Sequence, residues 1–352
     1  MRQYLLLLYL CSAVSAYGQT LPKDFRNLST DVQAVILEYV FFSEQANQIW
    51  GQDYEAPTPY TLVKYLDDYH TKTRIDFANG RIRIENQGSQ TPKASLEHAI
   101  VATLLTPADP NAVDLYTAAD MGLTGRPFLA GQVQDHEGHT ILYPWRAQRY
   151  AQWLITHRLQ QRGGRYWVEI PMVAHYKQVG AEQYRRYAQQ SSTRHRVPIH
   201  LIMAIMEAES SFNPFAVSHA NAYGLMQIMQ RTAGLDVNQR IHGRSVPPTR
   251  DYLFQPKNNI DMGTAYLAIL RDVYLRDIRH PLAREYSVIA AYNGGAGNLL
   301  KTFHQDRQRA IARINAMSPQ QVYNTIVASH PKLESRRYLQ KVTDFQHNYR
   351  HW

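Results

Sequence analysis

The hydrophobic period of this chain changes once, and the change divides it into two parts. Up to about residue 173, apolar and polar residues alternate in several short stretches, whereas from about residue 179 apolar residues recur every three or four positions. The first pattern is typical of strands and the second of helices. We therefore predict an α+β domain (17–178) followed by a mainly α-helical domain of similar size (179–352). The boundary is expected in the polar stretch 173–197.

Local patterns predict individual elements of the first part. Apolar residues at three- and four-residue spacing predict a helix over 31–50. Alternation on both sides of Asn79-Gly80 predicts a β-hairpin over 74–85, because this dipeptide favours tight turns. Three further elements are expected, namely strands over 135–143 and 166–173 and a helix over 146–162.

The first residues have the features of a secretory signal peptide. Arg2 precedes an apolar run from Tyr4 to Leu10, and small residues follow as far as Ala16. Since the run is too short to span a membrane, we expect export to the periplasm and removal of residues 1–16. The single cysteine, Cys11, could instead carry an outer-membrane lipid anchor. The two residues before it are larger than a lipoprotein signal normally has, so we favour plain cleavage.

The charge balance restricts the partners. The chain has 38 Lys and Arg against 29 Asp and Glu, a formal net charge of +9, which falls to +8 when Arg2 leaves with the leader. A surface of this sign favours polyanions: nucleic acid, anionic lipid headgroups or a cell-wall polymer with acidic peptides. Because an exported protein rarely meets nucleic acid, no nucleic-acid partner is expected. Solubility alone would also account for the charge, and the sequence names no partner for the first domain.

One stretch, MEAESSFNPFAVSHANAYGLMQIM (206–229), carries two glutamates and is followed by no further acid until Asp236. On a helix that begins near Pro198, Glu209 ends an apolar stripe, whereas Glu207 lies about 200° around the axis, toward solvent. Apolar surroundings raise the pKa of a carboxyl, which suits a general acid near neutral pH. A glutamate that merely caps the helix end fits the periodicity equally well.

Four motifs follow one another with consistent spacing. They are Glu209-Ser210-Ser211-Phe212-Asn213-Pro214 with Ser218, Gly224-Leu225-Met226-Gln227-Ile228-Met229, Ala291-Tyr292-Asn293-Gly294-Gly295, and Glu334-Ser335-Arg336-Arg337-Tyr338. In this order they resemble the motif set of the soluble-lytic-transglycosylase family, whose fold is similar to goose-type lysozyme. The resemblance covers about residues 179–349. It implies a cofactor-free enzyme that cleaves the bond between N-acetylmuramic acid and N-acetylglucosamine in peptidoglycan strands.

The resemblance also implies a mechanism with one carboxyl. Glu209 would protonate the glycosidic oxygen, and the substrate's N-acetyl carbonyl would stabilise the positive charge at C1. The ionised glutamate would then take the proton of the C6 hydroxyl as that oxygen closes on C1, which gives a 1,6-anhydromuramoyl end. Ordinary glycosidases need a second carboxylate for this work. The substrate-binding residues implied are Ser218, Met226, Gln227, Met229, Tyr292, Asn293, Glu334 and Tyr338.

Other interpretations stay open from the residues alone. Structural roles are available for several of them: turn hydrogen bonds for Ser218 and Gln227, core packing for Met226 and Met229, a cap for Asn293 and an ion pair with Arg337 for Glu334. Two other functions also fit, a muramidase that hydrolyses the same bond and a cell-wall-binding scaffold without turnover. No metal is expected, because HEGH at 136–139 is not HExxH and the remaining histidines are scattered.

Overall fold

A computed structural model describes Phe25 and residues 30–110, 125–218 and 220–352. In this part of the chain an antiparallel sheet with flanking helices is followed by a helical region, so the predicted fold class is confirmed. The predicted leader, including Cys11, lies outside the described residues. Among the residues described, no helix is both long and apolar enough to cross a bilayer.

The first part is built on one five-stranded antiparallel sheet. Its elements in chain order are α1 (Thr30–Trp50), a 3-10 turn (Gly51–Asp53), β1 (Thr61–Leu66), β2 (Thr71–Asp76), β3 (Arg81–Gln87), α2 (Pro92–Leu104), α3 (Pro144–His157), β4 (Gln160–Arg162) and β5 (Arg165–Pro171). The strands are arranged in the order β1-β2-β3-β5-β4.

The alternation of residues along the strands gives this sheet two different faces. Ile82 and Ile84 of β3 are fully buried on the face that α2 covers. On the opposite face Lys72 is almost completely buried and pairs with Glu85 at 2.8 Å and with Glu55 at 3.0 Å. Such pairing satisfies the buried charges. Much of the positive charge on this face is therefore neutralised within the chain.

Several element predictions for the first part are confirmed. The helix over 31–50 is α1, the hairpin over 74–85 is β2 and β3, and the strand over 166–173 is β5. The hairpin turn has four residues, from Phe77 to Gly80, where the sequence suggested a tight Asn-Gly turn. Gly80 closes it with φ +65°, a conformation that glycine adopts without strain.

Two predictions for the first part are wrong wholly or in part. Residues 135–143 form no strand, because the Asp135 carboxylate accepts the backbone N–H groups of Glu137 and His139 at 3.0 and 2.9 Å and folds the segment into a turn. The helix predicted over 146–162 ends at His157, and residues 160–162 pair with β5 instead.

The second part is helical apart from two very short strands. In chain order its elements are α4 (Tyr176–His195), α5 (Ile199–Ser210), β6 (Ala222–Tyr223), β7 (Ile228–Met229), a π turn (Gln230–Gly234), α6 (Leu235–Ile241), α7 (Arg250–Phe254), α8 (Pro256–Ile269), a π turn (Leu270–Tyr274), α9 (Pro281–Gly294), α10 (Ala296–Lys301), α11 (Arg307–Asn315), α12 (Pro319–Ser329), α13 (Leu333–Gln346) and a 3-10 turn (His347–Tyr349). Helix α5 is central, since α4, α13 and the last turn all pack against it.

The polar stretch expected at the domain boundary is helix α4, which contacts both parts of the chain. Its first residue, Tyr176, donates a hydrogen bond from its hydroxyl to the carbonyl of Ala78 at 2.8 Å. Further on, α4 packs against α5 and α8. The helix therefore joins the sheet to the helical part instead of acting as a loose linker.

A second contact between the parts lies at the far end of α5. The Tyr60 hydroxyl, just before β1, donates to the carbonyl of Ala208 at 2.6 Å. The side-chain amide of Asn213 donates to the carbonyl of Pro59 at 3.1 Å. These bonds bring the sheet domain against the end of the helix that carries Glu209.

Candidate active site

Glu209 lies in the last turn of α5, whose other side chains are mostly apolar and buried. The helix stops at Ser211, which has φ 50° and donates its N–H to the carbonyl of Glu207 at 3.0 Å. The Glu209 side chain is half-buried. Burial raises its pKa from 4.5 to about 7, so the carboxyl can give and take a proton near neutral pH.

Groups from other elements modulate this carboxyl. The nearby Tyr338 hydroxyl and the positive charge of Lys341, both on α13, favour its ionised form, whereas the charge of Glu334 opposes ionisation. The Tyr338 hydroxyl is buried and has no hydrogen-bond partner among the residues described. Burial raises the pKa of the Tyr338 hydroxyl well above its usual range, with the Glu209 charge next in effect. The hydroxyl therefore stays protonated and can act as a donor to Glu209. The apolar residues predicted to share a stripe with Glu209, namely Ile202, Ile205 and Met206, are fully buried.

The prediction that Glu207 faces solvent is wrong. Glu207 is only 3% exposed. The hydroxyl of Tyr349 donates a 2.7 Å hydrogen bond to its carboxylate, and the Lys177 ammonium lies 3.5 Å away. Helix α4 and the last 3-10 turn cover the side of α5 that periodicity assigned to water. Glu207 is thus a buried, partnered carboxylate that ties α5 to its neighbours.

Gln227 presents a free acceptor atom. Its Nε2 donates to the carbonyls of Ala216 at 3.1 Å and Gly224 at 3.0 Å, which fixes the orientation of the amide. Its Oε1 is buried and has no hydrogen-bond partner among the residues described. The backbone of Gln227 is left-handed, with φ 47°, a conformation that is uncommon for a residue with a side chain. An oriented, unpaired buried acceptor suits a ligand N–H or O–H donor.

The predicted site serine and methionines have different environments. The Ser218 hydroxyl oxygen accepts the N–H groups of Ala220 at 3.2 Å and Ala222 at 3.1 Å, so it serves the turn. Met226 is fully buried and lies so close to Gly263 of α8 that a Cβ there would be 2.5 Å from its sulfur. The prediction that its side chain touches sugar is therefore wrong. Met229 is 39% exposed, and its substrate contact stays a prediction.

Met226 contributes to the site through its backbone. Its carbonyl accepts a 2.8 Å hydrogen bond from the hydroxyl of Tyr292, which is half-buried near the end of α9. Burial is the main cause that raises the pKa of Tyr292 well above its usual range, and the charge of Glu209 adds to it. The hydroxyl of Tyr292 thus lies close enough to feel the Glu209 charge, and its oxygen can still accept a proton donor.

A hydrogen-bonded chain links α9 to α13. The side-chain amide of Asn293 donates to the Glu334 carboxylate at 3.1 Å, and Ser335 donates to the Asn293 oxygen at 2.7 Å. The interpretation of Asn293 as a helix cap is wrong, because Gly295, with φ +86°, provides the cap. The described residues contain no ion pair between Glu334 and Arg337. Glu334 is exposed, and the chain holds its carboxylate at the rim of the site.

Two residues of the site were not identified from the sequence. The Lys341 ammonium donates to the Ala208 carbonyl at 2.9 Å and to the Tyr60 hydroxyl at 3.2 Å. Helical spacing could have suggested Lys341, since it lies three residues after Tyr338 on the same face. No local signal could have suggested Tyr60, because it meets Ala208 across 148 residues of chain.

One group of possible metal ligands occurs among the described residues, away from Glu209. It consists of Asp135, Glu137 and His139. Arg146 donates to the Asp135 carboxylate at 2.6 Å, and Arg149 pairs with Glu137. These cations already neutralise both carboxylates, so the donor set does not favour a metal ion.

Two family profiles match the chain. Residues 28–197 match the N-terminal domain of membrane-bound lytic murein transglycosylase C, and residues 186–315 match the transglycosylase SLT domain. The two matches overlap on the second half of α4. Glu209, Gln227 and Tyr292 fall within the second match, whereas Glu334 and Tyr338 lie beyond it.

Curated relatives are similar over most of the chain. A membrane-bound lytic murein transglycosylase C of Klebsiella pneumoniae (strain 342) is 45% identical over 315 residues, which cover 88% of this chain and 87% of the relative. The protein of the same name from Yersinia pestis (strain Pestoides F) is 44% identical over 317 residues, 88% of each chain. Among solved structures, the 70 kDa soluble lytic transglycosylase of Escherichia coli is 24% identical over 47% of this chain and 24% of its own, with a TM-score of 0.36.

Proposed function

The chain belongs to the membrane-bound lytic murein transglycosylase C family, and on that premise we propose that it is a peptidoglycan lytic transglycosylase with Glu209 as its general acid and base. The substrate is the β-1,4 bond between N-acetylmuramic acid and N-acetylglucosamine in the glycan strand. The position of the Glu209 carboxyl, in the last turn of α5 and close to Tyr292, Tyr338 and Lys341, carries the catalytic assignment, and burial there raises its pKa to about 7. A carboxyl with that pKa is populated in both protonation states near neutral pH.

The reaction needs both states in turn. Protonated Glu209 donates its proton to the glycosidic oxygen, and the bond from that oxygen to C1 breaks. The N-acetyl carbonyl of the muramic acid stabilises the positive charge that develops at C1. Ionised Glu209 then accepts the proton of the C6 hydroxyl while that oxygen bonds to C1. The glutamate ends the cycle protonated, no water is consumed, and the new end is a 1,6-anhydromuramoyl residue.

Neighbouring groups are suited to hold the N-acetyl group over C1. The unpaired Oε1 of Gln227 can accept the amide N–H of the substrate, and the Tyr292 oxygen can accept a second donor. The unpaired Tyr338 hydroxyl is available as a donor, and its proximity favours the ionised state of Glu209 required in the second half of the reaction. Met229, Asn293 and Glu334 are proposed to line the groove at its rim, and Ser218 to support the turn beneath it.

The carboxylates around Glu209 bear on the hydrolytic alternative. Glu207 is buried against Tyr349 and Lys177, which makes it unsuitable to activate water. Glu334 is exposed and held by Asn293. A muramidase would need one of them to act as a base or nucleophile. Mass spectrometry of the muropeptides from digested peptidoglycan distinguishes the reactions, because an anhydro end is lighter than a reducing end by one water. A scaffold without turnover would release neither product.

The cellular location is proposed from the relatives and the leader. The relatives are named membrane-bound, which supports attachment at a membrane surface of the cell envelope. We propose that Cys11 carries the lipid, although the residues before it favoured cleavage near Ala16. Mass spectrometry of the mature N-terminus tests this. A diacylglycerol-modified Cys11 supports the anchor, whereas an unmodified N-terminus near Tyr17 or Gln19 contradicts it.

A further inference from the structure

The last turn of α5 ends in a carbonyl that two other elements satisfy. Ala208 lies between Glu207 and Glu209, and its carbonyl accepts the Tyr60 hydroxyl at 2.6 Å and the Lys341 ammonium at 2.9 Å. Carbonyls in the last turn of a helix have no partner within the helix, and they carry partial negative charge. A cation and a phenol from outside thus complete the end of the helix that presents Glu209.

The contact between Lys341 and Tyr60 is itself well formed. The ammonium donates to the Tyr60 hydroxyl at 3.2 Å and lies 4.6 Å from the centre of its ring. Both side chains are half-buried, so this interaction is only partly screened by water. Tyr60 comes from the sheet domain, whereas Lys341 and Ala208 come from the helical domain. The clamp formed by these three residues therefore spans the domain interface next to Glu209.

We propose that Lys341, held in place by Tyr60 of the sheet domain, is a positioning residue that fixes the end of α5 and the charge state of Glu209. This inference rests on the proposed function of Glu209. It gives the sheet domain a role in catalysis, since docking of Tyr60 holds the ammonium on the carbonyl of Ala208, the residue next to Glu209. A sheet domain that separated from α5 would release Lys341 and alter the acidity of Glu209.

Several charged or titratable groups affect the acidity of Glu209 and Lys341. Among the described groups that act on Glu209, Lys341 is the cation. Burial lowers the pKa of Lys341, whereas the charges of Glu207 and Glu209 oppose that effect. The groups that act on Glu209 or on Lys341 are Tyr338 and Glu334 of α13, Tyr292 of α9, Tyr60 before β1, Glu207 of α5 and Lys177 of α4. Loss of the Lys341 charge removes a stabiliser of the ionised carboxylate and raises the pKa of Glu209.

The test is the pH dependence of bond cleavage in the full chain. Cleavage needs protonated Glu209 and therefore declines above its pKa. Lys341→Met keeps the length of the side chain but removes the charge and the donors, so the alkaline limb of the pH–rate profile should move up by about one pH unit. Lys341→Arg retains the charge and should leave the limb near that of the wild type. Tyr60→Phe should move it in the same direction as Lys341→Met, but less.

Matched controls separate this role from general damage. Lys301→Met removes an exposed lysine far from the clamp, and Tyr143→Phe removes the hydroxyl of an exposed tyrosine in the sheet domain. Neither should change the limb. If Lys341→Met lowers the rate equally at every pH, Lys341 is merely structural and the proposal is overturned. Should Lys341→Met not fold, an unshifted limb in Tyr60→Phe overturns it instead. The assay counts all cleaved bonds, whether the new ends are anhydro or reducing. A hydrolytic reaction would therefore change the products but not the measured position of the alkaline limb.

Discussion

The hydroxyl of Tyr349, near the C-terminus, donates a 2.7 Å hydrogen bond to the carboxylate of Glu207, which is buried on the side of α5 away from Glu209. Two glutamates separated by one residue on the same helix therefore have different roles. Glu207 holds the last turn of the chain against α5, and Glu209 is left to exchange protons.

The first prediction concerns Glu207. Glu207→Gln should lower the free energy of unfolding by about 1–3 kcal/mol, because it weakens a buried hydrogen bond and removes the charge that faces Lys177. The activity per folded molecule should stay close to that of the wild type. Denaturant unfolding measures the loss, with Glu182→Gln on the exposed side of α4 as a control that should have little effect. A stable but inactive Glu207→Gln protein would contradict the division of roles.

The second prediction concerns catalysis by Glu209. Glu209→Gln keeps the shape of the side chain but can neither donate nor retrieve a proton. General acid–base catalysis contributes about 10²–10⁴-fold, and we expect a loss at the upper end or beyond, since one carboxyl serves both steps. The rate of release of soluble muropeptides measures it, and circular dichroism checks the fold. A variant that keeps more than about a tenth of the wild-type rate would be incompatible with Glu209 as the proton donor.

The third prediction is a gain of stability in the same variant. Glu209 has a pKa of about 7 in the folded protein against 4.5 as its ordinary value. The folded state therefore binds the proton more tightly than the unfolded state, and the wild type loses stability as pH rises from about 4.5 to 7. The full penalty, present above pH 7, is up to about 3 kcal/mol. Glu209→Gln has no ionisable group at this position, so it lacks this penalty and should be more stable than the wild type above pH 7.

Unfolding at several pH values checks this sign. Glu209→Gln should exceed the wild type in stability at pH 8, and the difference should vanish near pH 4. A difference that does not vary with pH would mean that the Glu209 carboxyl is not perturbed by burial. The comparison needs no substrate, so it tests the environment of Glu209 independently of the reaction.

The fourth prediction concerns Tyr292. Tyr292→Phe removes the hydrogen bond to the Met226 carbonyl and the oxygen that we propose orients the substrate. Cleavage should slow by roughly 10–10³-fold if a transition-state hydrogen bond of about 1.5–4 kcal/mol is lost. The products should stay the same. A switch toward reducing ends in this variant would show that Tyr292 excludes water, a role that its position does not require.

The sequence predicted the parts of the site that depend on local periodicity. A period of 3.6 residues places Glu209 on the same stripe of α5 as Ile202, Ile205 and Met206, which are buried. Periodicity gives the angle of a side chain around its helix, but not which elements cover that angle. Glu207 was therefore assigned to water, although α4 and Tyr349, far away in sequence, bury it.

The other structural features that the sequence predicted wrongly or not at all also depend on contacts between distant residues or on burial. Residues 135–143 alternate like a strand, but the Asp135 carboxylate takes the backbone N–H groups that a neighbouring strand would need. Strand β1 was missed because nearly all its residues are buried, so it lacks the polar alternation of a half-exposed strand. The contact of Tyr60 with Ala208 depends on domain docking, which leaves no local pattern in the sequence.

The central claim is that the C6 hydroxyl of the substrate, not water, attacks C1 while Glu209 carries the proton. Digestion of purified peptidoglycan with the wild-type protein, followed by separation and mass spectrometry of the muropeptides, tests it most directly. The account predicts predominantly 1,6-anhydromuramoyl ends, lighter than the hydrolysed products by one water, and no such products from Glu209→Gln. Reducing N-acetylmuramic acid as the main wild-type end would contradict the account and identify a hydrolase.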